Sequence, residues 1–173
     1  MDLVYGDPEA GLASFQQAAE LNPKYVANFT PLDEEVWTYV GRADYAAGNL
    51  AKARRDFQRA LNHDHKDHMA QLYLGLVLAR EGNRERGLKE LKAGLRGVDN
   101  LLDHIQKYAS AGQLWDPRGQ IGSEIQKDLS MISGSATGWP TLIASGEWIG
   151  RKMEEESVLV REMEADRRPD KEL

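Results

Sequence analysis

Cysteine is absent from this sequence. That excludes disulfides, thiolate metal ligands and thiol nucleophiles, and it suits a reducing cytosol or a periplasm equally. Long apolar runs are lacking too: none approaches the roughly 18 unbroken residues of a membrane-spanning helix. No basic segment followed by an apolar run opens the chain, so no signal peptide is read there. The compartment is left open: cytoplasmic by default, periplasmic if an export signal has been removed. Surplus positive charge is missing as well. The net charge is −6, and an acidic chain repels phosphate backbones, which argues against nucleic acid as a general partner. Arg54, Arg55 and Arg59 form the densest basic cluster and read as a solvated helix face.

Catalytic signatures are equally scarce. There is no nucleophile elbow, phosphate-binding glycine loop, zinc-protease motif or nucleotide fingerprint. Gly134-Ser135-Ala136-Thr137-Gly138 is glycine-rich but follows no strand. Glu154, Glu155 and Glu156 are consecutive on a helix and point in different directions, so they make no acid pair. The expectation is a non-enzyme without a cofactor. The run His63, Asp64, His65, Asp67 and His68 carries imidazole and carboxylate ligands suited to zinc or nickel. Its position at a turn between helices also suits a solvated polar segment, and metal binding stands as an alternative.

What is present is a repeat. Trp37, Val40, Gly41, Gly48, Ala53, Phe57, Ala60 and Leu61 recur 34 residues later as Gln71, Leu74, Gly75, Gly82, Gly87, Leu91, Gly94 and Leu95. Small residues at one set of positions let paired helices approach, and large ones fill the gaps. Gly48-Asn49 and Gly82-Asn83 mark tight turns that require a left-handed backbone. The segment Glu34 to Asp67 resembles the tetratricopeptide-repeat (TPR) family, with Trp37, Gly41, Ala53, Phe57 and Ala60 at the family's positions and its period. It departs at Asp44, where the family has a larger side chain, and at His65, where the family has proline.

The register extends both ways. Gly6, Gly11, Phe15 and Ala18 precede Gly48, Ala53, Phe57 and Ala60 by 42 residues, one period plus an eight-residue insertion around Val26 to Asp33. Asp7 to Pro23 then reads as the second helix of a pair, with Asp7 as cap, Pro8 in the first turn and Pro23 as terminal proline. Its partner helix is missing or reduced to Met1 to Tyr5, so the chain is expected to open on a half-repeat or to be part of a longer protein. Ile105, Tyr108 and Ala109 continue the period and predict a separate helix at about Asp99 to Ser110. Asp116-Pro117 opens a further helix whose Ile121, Ile125, Leu129 and Ile132 share a face. After the Gly134 to Gly138 linker, a last helix runs from Trp139-Pro140 to about Arg168, stopped by Pro169. Leu142, Ile149, Met153, Val160 and Met163 form its apolar stripe, with Gly146 on the same side and Trp148 beside it.

The expected fold is thus all-α, a TPR-type superhelical stack of antiparallel helix pairs with a long C-terminal capping helix. Residues 1–33 hold a partial repeat and insertion, 34–67 and 68–101 two repeats, 102–133 a degenerate repeat, and 139–168 the capping helix. The resemblance implies a scaffold that binds a peptide or helix of another protein on its concave face. By register that face comprises Glu35, Thr38, Tyr39, Arg42 and Tyr45 in one unit, and Met69, Leu72, Tyr73, Leu76 and Arg80 in the next. Tyr39 and Tyr73, one period apart, are expected to be neighbours along the groove, and Arg42 and Arg80 to meet carboxylates. Some TPR proteins grip chaperone C-termini through Lys and Asn here; Thr38, Arg42, Leu72 and Leu76 stand in those places, which disfavours that ligand. Leu72 and Leu76 point instead to an apolar floor for a partner's helix or for the chain's own last helix. Self-assembly into a homo-oligomer, through the flank of the incomplete first repeat or the last helix, is the other alternative.

Overall fold

The computed structural model describes residues 8–29, 32–109, 111–134 and 138–166. Among them are seven α-helices and one two-stranded hairpin: α1 (Pro8–Leu21), β1 (Val26–Phe29), β2 (Leu32–Glu35), α2 (Val36–Ala46), α3 (Leu50–His63), α4 (His68–Arg80), α5 (Arg84–Tyr108), α6 (Gln120–Ser133) and α7 (Trp139–Asp166). Successive helices pack against one another, and α7 returns to lie on both α4 and α6. This is the all-helical, TPR-type stack anticipated from the period.

The period is visible bond by bond. At the end of α2 the Asn49 amide donates to the Asp44 carbonyl at 2.8 Å; at the end of α4 the Asn83 amide donates to Leu78 at 2.9 Å. Between them sit Gly48 and Gly82 with φ of 80° and 85°, a region that side-chain-bearing residues avoid. The close approaches repeat too. A Cβ on Gly41 would lie 2.7 Å from Phe57 Cε1, and one on Gly75 would lie 2.5 Å from the Leu91 amide. Each pair of helices therefore nests through a glycine set against the large residue of its partner.

Three departures from the sequence expectation have local causes. The insertion is a hairpin rather than a loop: β1 and β2 pair antiparallel, Val26 opposite Glu35 and Phe29 opposite Leu32. Leu32 is buried and ties the hairpin into the main core. On the α1 side of the hairpin, the Trp37 indole donates to the Pro23 carbonyl at 2.9 Å. Next, the separate helix expected at Asp99 to Ser110 does not exist. α5 runs unbroken from Arg84 to Tyr108, because no proline or Gly-Asn turn interrupts that stretch. Its extension buries Leu102 and Ile105. Finally, α6 begins at Gln120, not at Pro117. Asp116 still caps it: its carboxylate accepts from the amides of Gln120 at 2.7 Å, Ile121 at 3.1 Å and Gly122 at 3.0 Å, satisfying the otherwise unpaired donors of the first turn.

α1 starts at Pro8, where the missing proline N–H carries no penalty. Asp7, Met1 to Tyr5, Ser135, Thr137, Arg168 and Pro169 lie outside the described residues. The main core runs from Leu32 of the hairpin and Tyr45 of α2 through to α7 and includes Phe57, Leu91, Ile125, Leu142, Ile149 and Met153, all fully buried. A small second cluster of Ala19, Val36 and Val40, flanked by Phe15 and Trp37, joins α1 to α2. Met163, the last member of the apolar stripe, is exposed.

Candidate functional site

The first helices of the two repeats, α2 and α4, carry the residues that the repeat register assigns to the concave face, except Glu35, which ends β2 just before α2. The sequence-predicted residues divide into four groups.

Arg42, Tyr45, Tyr73, Leu76 and Arg80 gather beneath α7. Arg42, 1% exposed, pairs with Glu34 at 3.5 Å and with Glu154 of α7. Its guanidinium also lies 5.2 Å from the centre of the Tyr73 ring. The Tyr45 hydroxyl donates to Glu147 of α7 at 2.6 Å, and Arg80 approaches the same carboxylate at 3.6 Å. Tyr73 meets Tyr45 edge-on and stacks on Phe57, each at 5.7 Å. Two glycines of α7 make this seat possible. A Cβ on Gly146 would lie 2.9 Å from Leu76 Cδ2, and one on Gly150 would lie 2.6 Å from Tyr73 Oη. A cavity of about 200 Å³ remains beside the helix, lined by Arg42, Tyr45, Tyr73, Arg80, Glu147 and Arg151.

Glu35 and Thr38 turn instead to the junction of α3 and α4. The Thr38 hydroxyl donates to Asp67 at 2.6 Å and the Glu35 amide to the same carboxylate at 3.0 Å. Asp67 also caps α4 by accepting from the Ala70 amide at 2.8 Å. The Glu35 carboxylate sits 3.6 Å from His63. Met69 and Leu72 are core residues with no exposed surface to speak of. Tyr39 is buried and stacks on Phe15 of α1 at 5.1 Å.

Burial governs the electrostatics of this face. It pushes the Glu34 carboxyl up to about 7, with Arg42 pulling the other way and Asp67 and Glu154 adding to the rise. Burial raises Glu35 as well, against the pull of His63. Asp67 is raised by burial although three hydrogen bonds oppose it. The phenols of Tyr39 and Tyr45 are driven up by burial and by the neighbouring carboxylates Glu34 and Glu147. Near neutrality the face therefore presents cationic Arg42 and Arg80 with neutral, hydrogen-bonding tyrosines.

The histidine run is not drawn into one site. Asp67 is committed to three protein donors, and His68 is packed so closely on Gly97 that a Cβ there would meet its Nδ1 at 2.2 Å. Among the described residues no group of three or more potential ligands converges on a metal position. On the outer face, Arg54 pairs with Glu81 at 2.9 Å and Arg59 lies over Trp37 at 3.9 Å. No helix among the described residues is long and apolar enough to cross a membrane.

Glu34, Asp67, Glu147 and Glu154 were not singled out for this face by sequence reasoning. Glu147 and Glu154 carried a signal, being seven residues apart and so on one side of their helix; Glu34 and Asp67 carried none.

Residues 34–67 match the family model for the tetratricopeptide repeat. The matched span covers β2's end, α2, α3 and the turn to α4, and the same turn and packing contacts recur in α4 and α5. The chain thus carries a tetratricopeptide repeat within a TPR-type stack. No curated protein and no solved structure matches it.

Proposed function

We propose that this chain is a protein-interaction scaffold rather than a catalyst, and that its concave face holds a peptide or helix of a partner protein. The observation that carries this reading is the furrow between α2 and α4. Two successive repeats present Arg42, Tyr45, Tyr73, Leu76 and Arg80 to one helix-sized seat, and a helix lies in it. Tyrosine and arginine are the residues that most often anchor protein interfaces, and leucine supplies the apolar floor.

Affinity capture from extracts of the native cell tests the proposal. Arg80 stands at the rim, 42% exposed, so Arg80→Glu reverses the charge of the furrow without entering the core. The expected result is loss of the partner with Arg80→Glu and its retention with Arg55→Glu on the outer face. The reverse pattern rejects the concave face as the binding surface.

A second reading, self-association, is favoured by exposed Leu21 and Tyr25 beside the end of α1. Light scattering at two concentrations separates the readings. A monomer mass independent of concentration removes self-association.

A further inference from the structure

The occupant of the furrow describes the ligand that the furrow accepts. α7 presents Gly146 and Gly150 one turn apart to Leu76 and Tyr73, so its backbone rests directly on the side chains of α4. Two turns separate Glu147, held by Tyr45 and Arg80, from Glu154, held by Arg42. Ile149 and Met153 are fully buried between them. Opposite charge, small residues at the crossing and buried apolar anchors all lie on one helical face.

α7 is anchored by buried Leu142, Ile149, Met153 and Val160, but its seat on α2 and the end of α4 is polar. Glycine within a helix costs about 1 kcal/mol relative to alanine, and α7 has two at the contact. Its ties to α2 and to the end of α4 are ion pairs and a tyrosine hydrogen bond, which a second helix with the same groups can reproduce. The cavity of about 200 Å³ next to it, lined by Arg42, Arg80 and Arg151, leaves part of the furrow unfilled.

Building on the scaffold reading, we propose that the partner segment is an α-helix with the contact pattern of α7, and that α7 is the resident competitor it displaces. The pattern is a small residue, an acid directly after it, a small residue four positions after the first, and a second acid seven positions after the first acid. Tethering gives α7 an effective concentration on the order of millimolar, so an external helix meets a partly closed site in the wild-type chain.

The test uses the full chain and a fluorescent synthetic peptide with the sequence of residues 139–166. Glu154→Arg in the chain sets α7 against Arg42 and frees the furrow. The peptide is expected to bind this variant at least ~10-fold more tightly than wild type, as removal of an intramolecular competitor requires. A peptide carrying Glu154→Arg should not bind it, but should bind a chain carrying Arg42→Glu. Circular dichroism and hydrogen exchange of α2 to α5 establish that each variant is folded. If Glu154→Arg does not fold, Gly150→Leu wedges α7 away from Tyr73 and serves in its place. Folded variants that bind matched and mismatched peptides alike, or bind neither, overturn the proposal. So does a dimer in light scattering formed by the loosened variants without peptide, since the occupant is then a second copy. A native partner lost with Arg80→Glu but indifferent to Glu154→Arg would keep the scaffold reading and reject this one.

Discussion

Arg42 and Glu154, 112 residues apart in sequence, form an ion pair that joins the first helix of one repeat to the last helix of the chain. Arg42 is buried and also faces Glu34. Removing one member of such a pair strands the other charges in a poorly solvated place, a loss of about 3–5 kcal/mol in comparable buried pairs. Arg42→Met is therefore expected to destabilise the chain by about 3 kcal/mol in urea denaturation. Glu154→Gln should have a smaller effect because the amide oxygen can still accept from Arg42, which also keeps Glu34.

Asp67 is the junction of two repeats. Its carboxylate takes the Ala70 amide of α4, the Thr38 hydroxyl of α2 and the Glu35 amide. Asp67→Ala removes a helix cap, about 1 kcal/mol, and leaves two further buried donors unpaired, about 1–3 kcal/mol each. The expected loss is at least about 3 kcal/mol. Thr38→Val should lose about 1 kcal/mol, since it breaks one bond of the three. Thermal unfolding of the two variants checks the ranking, which an equal effect of both would contradict.

Buried acids give this fold an inverted pH dependence. Folding raises Glu34 from 4.5 to about 7, and Asp56 and Asp128 from 3.8 to about 6. Burial is the main cause in each case. An acid whose pKa is raised by folding binds its proton more tightly in the folded chain. Stability then falls as pH rises from the unfolded value through the folded one, and is lowest above about 7. His68 acts in the opposite sense: burial lowers it, so it weakens the fold below its ordinary value of 6.5. Glu34 alone contributes about 3 kcal/mol across its window. Denaturant midpoints should be higher at about pH 5.5 than at about pH 8, and Glu34→Gln should flatten the difference. A midpoint that rises with pH would show that these acids are not held as described.

The repeat turns depend on backbone geometry alone. A Cβ on Gly48 or Gly82 would meet nothing within 4 Å, yet both residues have positive φ. Gly48→Ala and Gly82→Ala should each cost about 1–2 kcal/mol, the penalty of a left-handed backbone for an L-residue. The two effects should be alike because the turns are equivalent. A marked difference measured by chemical denaturation would mean that the two turns are not repeats of one structure.

Legibility in the sequence followed the range of the interactions. The helix pairs, the Gly48 and Gly82 turns and the nesting of Gly41 on Phe57 recur at one spacing, and could be read directly. The apolar stripe of Leu142, Ile149, Met153 and Val160 was equally plain, because helical periodicity is local. Its destination was open, between a cap and the furrow, because the contacts from Glu147 to Tyr45 and from Glu154 to Arg42 span more than a hundred residues. The hairpin was missed because its strands have only four residues each, too few for alternation to register. The continuity of α5 was missed because Ile105, Tyr108 and Ala109 fall one period after Gln71, Leu74 and Gly75 and so read as a new first helix, although no turn separates them from α5. Gly94 was legible as a small packing position: a Cβ there would lie 2.5 Å from the Leu72 backbone. Of the ten residues assigned to the concave face, Arg42, Tyr45, Tyr73, Leu76 and Arg80 meet α7. Glu35 and Thr38 were drawn away by Asp67, whose capping role at the turn has no counterpart in the repeat pattern.

Hydrogen exchange of the full chain, wild type against Arg42→Met, examines most directly whether the stack's hollow side grips α7 through the groups named. The account predicts that amides from Ile149 to Val160 lose at least ~10-fold more protection in the variant than α3 and the core of α5 do, a local loosening of little over 1 kcal/mol on top of the global loss. Unchanged protection in α7, or a uniform rise across every helix, would contradict it.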